Sequence, residues 1–168
     1  TLFTNNQFVL NDGLTLGRDG NFYAAARTSP QLEPLIVRVS PAAVVAAFSS
    51  HNATPSSPLP YTSLTHGSDG NLFGTIDGTG VHFDGGRAFR WSLDGKYTLL
   101  YSFLNHHDGA TISNAKLVEG SDGNFYGALS TSPNHKKGEL YQLKPDGTYT
   151  TLYVFNDDSD FVGLAYTP

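Results

Sequence analysis

The stretch Gly120-Ser121-Asp122-Gly123-Asn124-Phe125-Tyr126-Gly127 decides how this chain is read. It recurs as Gly67-Ser68-Asp69-Gly70-Asn71-Leu72-Phe73-Gly74, and more loosely as Gly17-Arg18-Asp19-Gly20-Asn21-Phe22-Tyr23-Ala24. The aspartates at 19, 69 and 122 are spaced by 50 and 53 positions, and a leucine stands five residues before each, at Leu14, Leu64 and Leu117. The shared pattern is L-x-x-G-x-D-G-N-[FL]-[YF], three times over. Self-similarity at roughly 40–50 residues is the signature of solenoids and propellers.

Each copy reads as a tight turn between two strands. Asp-Gly between apolar runs is a strong hairpin signal, because Gly tolerates the positive φ that such turns need. The Asp carboxylate accepts hydrogen bonds from amides just after it, and Asn-aromatic-aromatic opens the next strand. The alternative is a ring of metal-binding or catalytic carboxylates. The scaffolding reading is preferred, since the aspartate never parts from its Gly-Asn partner.

Composition supports a packed β protein. Of 168 residues, 39% are hydrophobic, and 11 Phe, 9 Tyr and 1 Trp supply large rings for a core. Only 15% are charged and the formal net charge is −5, which argues against a nucleic acid or an anionic membrane as partner, because both want a basic face. No apolar run approaches the ~20 residues of a membrane helix. Without cysteine there is neither a disulfide framework nor a thiolate metal site. The chain begins at Thr1 rather than Met, which suggests either a removed leader or a piece of something longer. Low charge with abundant Gly, Asn, Ser, Thr and Tyr suits an extracellular repeat protein.

Strand signals then fall into order. Repeat one, about 13–61, holds strands at Leu14 to Gly17, Phe22 to Arg27, Leu35 to Val39 and Ala43 to Phe48, with Pro41-Ala42-Ala43 in place of a second Asp-Gly turn. Repeat two, about 63–115, holds Ser63 to His66, Asn71 to Ile76, Arg87 to Ser92 and Tyr97 to Phe103, turning at Asp94-Gly95. Repeat three, about 116–162, holds Lys116 to Glu119, Asn124 to Leu129, Gly138 to Leu143 and Thr148 to Phe155, turning at Pro145-Asp146-Gly147. Thr1 to Thr4 resembles the closing strand of a preceding repeat, and Gly163 to Tyr166 the opening strand of a fourth. No segment shows helical spacing of apolar residues over three turns. Four short strands per unit is the grammar of a propeller blade. The expected architecture is one all-β, β-propeller-like domain, or part of a longer propeller, over 1–168: three four-stranded blades plus an extra strand at each end (1–4 and 163–166).

The run L-x-x-G-S-D-G-N-F-Y-G, followed by G-x-L-Y-Q-L-x-P-D-G-T-Y-T-x-L-Y-x-F, resembles the GloVer-type tandem repeat. The likeness is specific at Leu117 to Gly127 and Glu139 to Phe155, good in repeat two, and degraded in repeat one, where Ala24 and Pro41 depart from it. It covers nearly the whole chain. It implies a propeller-like protein exported from bacteria and brings no active-site residues with it.

Candidate chemistry is sparse. His51, His66, His82, His106, His107 and His135 show no H-x-x-x-H or equivalent zinc spacing. The loop Asn156-Asp157-Asp158-Ser159-Asp160 is the densest set of oxygen ligands, so Asp157, Asp158 and Asp160 are the candidate cation site, with calcium as the ion that irregular oxygen ligation suits. No other cofactor is implied. There is no G-x-S-x-G and no cysteine nucleophile, while Glu33, Glu119, Glu139 and twelve Asp leave a carboxylate pair for glycoside chemistry open. Asn52-Ala53-Thr54 matches a glycosylation sequon on a polar, proline-rich loop.

Binding is the preferred function. Aromatic faces beside amides and hydroxyls suit sugar rings. The candidate contacts are Trp91, Tyr97, Tyr101, Tyr141 and Tyr149, on the third and fourth strands of their repeats, weighed against packing between blades, which is the usual fate of strand aromatics. Trp91, the sole tryptophan, is aligned with Gln142 of repeat three and so is the first choice. The chain is thus expected to be an extracellular, non-enzymatic module that binds carbohydrate or a cell surface. Rival readings are a purely structural ring or filament subunit, and part of a polysaccharide-active hydrolase or lyase. Three repeats fall short of the four to eight blades that close a propeller. Self-association through the end strands is therefore expected, as a homo-oligomer or an open polymer.

Overall fold

The computed structural model describes residues 8–10, 13–28, 34–42, 44–49, 64–76, 86–103, 116–129 and 138–155. Among them there are strands and turns and no helix. The strands form three antiparallel sheets.

The first sheet contains β1 (Phe8–Leu10), β2 (Thr15–Leu16), β3 (Phe22–Thr28), β4 (Pro34–Val39) and β5 (Val45–Ser49). The second is a meander of β6 (Thr65–His66), β7 (Leu72–Ile76), β8 (Arg87–Trp91) and β9 (Tyr97–Ser102). The third repeats it with β10 (Val118–Glu119), β11 (Phe125–Leu129), β12 (Glu139–Leu143) and β13 (Tyr149–Val154). Strand β1 had no counterpart in the sequence reading. It shares the same edge of β3 with β2, pairing Leu10 with Ala26 where β2 pairs Thr15 with Tyr23. The terminal strands expected at 1–4 and 163–166 lie outside the described residues.

The Asp-Gly-Asn turns are built as the sequence demands. Gly20, Gly70 and Gly123 take φ of 77°, 85° and 75°, where a side chain would be strained. Asp122 Oδ1 accepts from the Asn124 amide at 3.1 Å, and its Oδ2 accepts from Asn124 Nδ2 at 2.6 Å. Asp19 and Asp69 hold Asn21 and Asn71 in the same two ways. The tyrosine hydroxyl that follows, from Tyr23 or Tyr126, donates to the same carboxylate, and Phe73 has no hydroxyl to do so. The opposite turns close through Ser92 N–H to the Lys96 carbonyl and Lys144 N–H to that of Thr148. Ser40 N–H to the Val44 carbonyl, at 2.9 Å, shows that Pro41-Ala42 makes the same closure without Asp-Gly.

The middle sheet is covered on both faces, which explains why every residue of β7 is buried. Leu72, Ile76, Phe89 and Trp91 pack with Tyr23 and Ile36 of the first sheet. Phe73, Ala88 and Phe103 turn the other way and pack with Leu117, Phe125, Tyr141 and Leu143 of the third. Phe73 and Phe125 stack across that gap with ring centroids 3.9 Å apart. Each such fully buried side chain contributes on the order of 1.5–3 kcal/mol.

Repeat one departs at Ala24 for a reason visible in its partner. Residue 24 faces Val37, whereas Gly74 faces Phe89 and Gly127 faces Tyr141. A Cβ at Gly74 would come within 2.7 Å of the Phe89 ring, and one at Gly127 would collide with the Tyr141 ring. A small partner across the ladder is what admits the methyl.

Candidate functional site

The five aromatic candidates fall into two groups, one in each gap between sheets. Trp91 is only 5% exposed and lies among Tyr23, Ile36, Leu64 and Leu72, with Tyr97 edge-on at 6.0 Å. Its alignment with Gln142 is corrected by the ladder. Leu72 pairs with Trp91 and Phe125 with Leu143, so Trp91 stands where Leu143 stands, on the buried face. Gln142 instead donates to the Tyr126 hydroxyl at 2.9 Å. A one-residue offset turns a strand side chain to the opposite face. The indole Nε1 of Trp91 is buried with no hydrogen-bond partner among the described residues. It borders a narrow cleft with Tyr23, Ile36, Leu72, Ser92 and Leu93.

Tyr101, Tyr141 and Tyr149 gather between the second and third sheets. Tyr101 stacks on Tyr149 at 4.4 Å and 10°, and Tyr149 stacks on Tyr141 at 5.2 Å and 28°. Beneath them lies Glu139, buried, whose Oε1 accepts from the Tyr149 hydroxyl at 2.6 Å and from Thr151 Oγ1 at 2.7 Å. Burial pushes the Tyr149 phenol well above the ordinary tyrosine range, and its bond to Glu139 pushes it further. Tyr141 and Tyr101 are raised likewise, by burial first and by the Glu139 charge second. The sequence leaves Glu139 open as a carboxylate for glycoside chemistry, and its partners Tyr149 and Thr151 could not be read because they come from a different strand.

Trp91 and Tyr141 therefore offer no open ring face, and Tyr97, Tyr101 and Tyr149 are half-buried. The most exposed aromatic side chain described is Tyr153, at 52%, which was not among the candidates.

A second feature runs along the opening strands. Thr15 Oγ1 donates to the Leu64 carbonyl at 2.5 Å, and Thr65 Oγ1 donates to the Leu117 carbonyl. One turn further on, Arg18 N–H approaches His66 Nε2 at 3.4 Å. At the next joint, Ser68 donates its amide to Glu119 Oε2 at 2.8 Å and its hydroxyl to Oε1 at 2.5 Å. The sheets are thus laced together by hydrogen bonds at matching repeat positions. The recurrence of threonine at 15 and 65 was the available sequence signal.

All the described carboxylates are engaged. Asp19, Asp69 and Asp122 hold the turns. Asp94 accepts from Ser92 Oγ and Asp146 from the Thr148 amide. Glu119 and Glu139 take the roles above. No group of three or more His, Asp or Glu side chains able to hold a metal occurs among the described residues. Asp157, Asp158 and Asp160, five of the six histidines and Asn52 lie outside them.

The chain belongs to the Gloeobacter/Verrucomicrobia repeat family, whose model matches residues 3–165. No curated protein matches it. Among solved structures it is similar to virginiamycin B lyase from Staphylococcus aureus, at 19% identity and a TM-score of 0.59, covering 88% of this chain and 42% of that one. A streptogramin B lyase structure matches at 16% identity and 0.59, with the same coverage. A protein assigned as a gluconolactonase matches at 16% identity and 0.57, covering 94% of this chain and 52% of that one. These neighbours are β-propeller-like, and the likeness makes this fold all-β and propeller-like. The chain spans about half the length of the structures it matches or less. No helix among the described residues is long and apolar enough to cross a membrane.

Proposed function

We propose that this chain is a non-enzymatic building unit of a β-propeller-like ring, exported from a bacterial cell, whose three sheets are blades that self-association completes into a binding scaffold. One observation carries this reading. Leu64 and Leu117 are each 1% exposed because each packs against the preceding sheet, while Leu14, at the same repeat position, is 53% exposed. Leu16 beside it is 61% exposed, and an apolar strand left open is a surface that recruits another. The engagement of Asp19, Asp69, Asp94, Glu119, Asp122, Glu139 and Asp146 in structural hydrogen bonds favours a scaffold over a hydrolase or lyase. The names of the similar structures belong to those enzymes.

Sedimentation equilibrium at micromolar concentration tests the reading. A particle of two or more chains is expected. A single species at 18.1 kDa would remove the assembly reading. Glycan-array binding by the assembled particle, absent from the dissociated chain, would add carbohydrate as its ligand.

A further inference from the structure

We propose that the joint between the first and second sheets is a mild-acid switch, in which protonation of His66 releases the turn that carries Arg18. The joint lies within one chain, so it works the same whether or not chains associate.

The two internal joints are built to one plan and differ at one position. In each, a threonine hydroxyl crosses to a leucine carbonyl, from Thr15 to Leu64 and from Thr65 to Leu117. Neither partner titrates. In each, the amide that follows the first glycine of the turn makes a second crossing, from Arg18 and from Ser68. The acceptors of that second crossing differ in kind. Glu119 takes the Ser68 amide on both oxygens, at 2.8 and 2.9 Å, and the Ser68 hydroxyl on Oε1. His66 takes the Arg18 amide on Nε2 alone, at 3.4 Å.

An imidazole nitrogen accepts only while it carries no proton, so this bond requires the neutral ring. Imidazole changes its charge between pH 5 and 8. Once protonated, Nε2 presents a hydrogen to the Arg18 N–H, and two donors meet without an acceptor. The open joint therefore binds more protons than the closed one, and closure weakens as pH falls through the imidazole range. A carboxylate keeps its charge down to about pH 4, so the crossing from Ser68 to Glu119 holds over the same interval.

The neighbouring charges supply no second acceptor. From the first sheet come Arg18 itself and Asp19, whose carboxylate already accepts from Asn21 and Tyr23. Arg38 reaches that same phenol. Within the second sheet, β7 sets Leu72 opposite His66, and the following turn carries Asp69, which is held by Asn71. From the third sheet comes Glu119, engaged with Ser68.

Strand β2 is the part that responds. It is two residues long, pairs Thr15 with Tyr23 and Leu16 with Phe22, and leaves Leu14 and Leu16 exposed. Few buried contacts put a segment at the low end of local stability. With the Arg18 crossing gone, the Thr15 hydroxyl is what still ties β2 to the second sheet.

Exchange of the Arg18 and Ser68 amides with water, followed by nuclear magnetic resonance and corrected for intrinsic rates, tests each joint separately. Between about pH 7.5 and about pH 5.5, opening at Arg18 is expected to rise about two- to ten-fold, the scale of one hydrogen bond, while Ser68 stays unchanged. His66→Gln keeps an acceptor oxygen that does not titrate and is expected to abolish the response. It leaves the other five histidines in place, so their titration cancels in the comparison. His66→Leu removes the acceptor and is expected to leave Arg18 open at both values. His66 is half-buried, and circular dichroism checks that each variant keeps its strands. A wild type without a response at Arg18, an equal response in His66→Gln, or an equal rise at Ser68 overturns the switch. So does an Arg18 amide as protected in His66→Leu as in the wild type near neutral pH.

Discussion

The phenol of Tyr149 donates to Glu139 across two adjacent strands, at 2.6 Å, beneath the stacked ring of Tyr101. This buried carboxylate is held by two hydroxyls, from Tyr149 and Thr151. Tyr149→Phe removes the stronger-placed donor and is expected to cost about 1–3 kcal/mol, the penalty for leaving a buried acceptor short of a partner. Urea unfolding of the variant measures it.

The same cluster sets an alkaline limit on stability. Tyr149 and Tyr141 are raised above the ordinary tyrosine value, and Tyr23 is pushed up to about 12, in each case first by burial. The fold therefore favours the neutral phenols. Their contribution is complete below the unfolded value of about 10 and is lost as pH climbs from there toward the folded values. Unfolding free energy is expected to hold steady up to about pH 9 and then fall. Phenolate absorbance at 295 nm should show some tyrosines ionising only as the protein unfolds, and a smooth titration of all nine tyrosines near pH 10 would contradict this.

At the acid end the sign reverses. Asp122 is held below the usual carboxylate range by the side chain of Asn124, then by the Tyr126 hydroxyl and the Asn124 amide. Asp146 is lowered by the Thr148 amide and hydroxyl. Stability from these turns is present above about pH 4 and drains as pH falls through the folded values. Asp122→Asn should flatten the acid limb of the stability profile while leaving the alkaline limb unchanged.

Gly127 and Tyr141 form a size-matched pair. Gly127→Ala drives a methyl into the Tyr141 ring and is expected to destabilise by about 1–3 kcal/mol. Tyr141→Val, which imitates the Val37 that faces Ala24, opens a cavity and costs roughly 2–5 kcal/mol alone. Combined, the two should cost less than their sum, because each relieves the other. Additive losses in a double-mutant cycle would show that the ring and the methyl do not meet.

Thr65→Val tests the lacing between the second and third sheets. It deletes the donor to the buried Leu117 carbonyl and should cost about 1–2 kcal/mol. Hydrogen exchange should quicken at β10, while the Ser68–Glu119 bonds keep the joint from opening fully.

What the sequence could show divides along the range of each interaction. The Asp-Gly-Asn turns were legible because every bond Asp122 makes to Asn124 and Tyr126 spans two to four residues. Strand positions followed, mostly to within a residue or two of β6 to β13. Trp91 was misplaced because its face depends on a register that one residue reverses. Leu14, Leu64 and Leu117 are indistinguishable in the repeat, yet one is exposed and two are buried, since burial is decided by whichever sheet stands next to them. The Glu139 cluster depends on β12, β13 and the neighbouring β9 together, a convergence that no local pattern announces.

The lacing threonines have one more consequence. Thr15 and Thr65 each find their acceptor in a main-chain carbonyl of the following repeat, at Leu64 and Leu117. Every residue type carries that carbonyl. At this contact a repeat makes no demand on the side chains of its successor, so a unit duplicated or deleted in the gene would meet a ready acceptor without any compensating substitution. Such an array can lengthen or shorten by whole repeats, and its blade number becomes something that inheritance can vary in single steps.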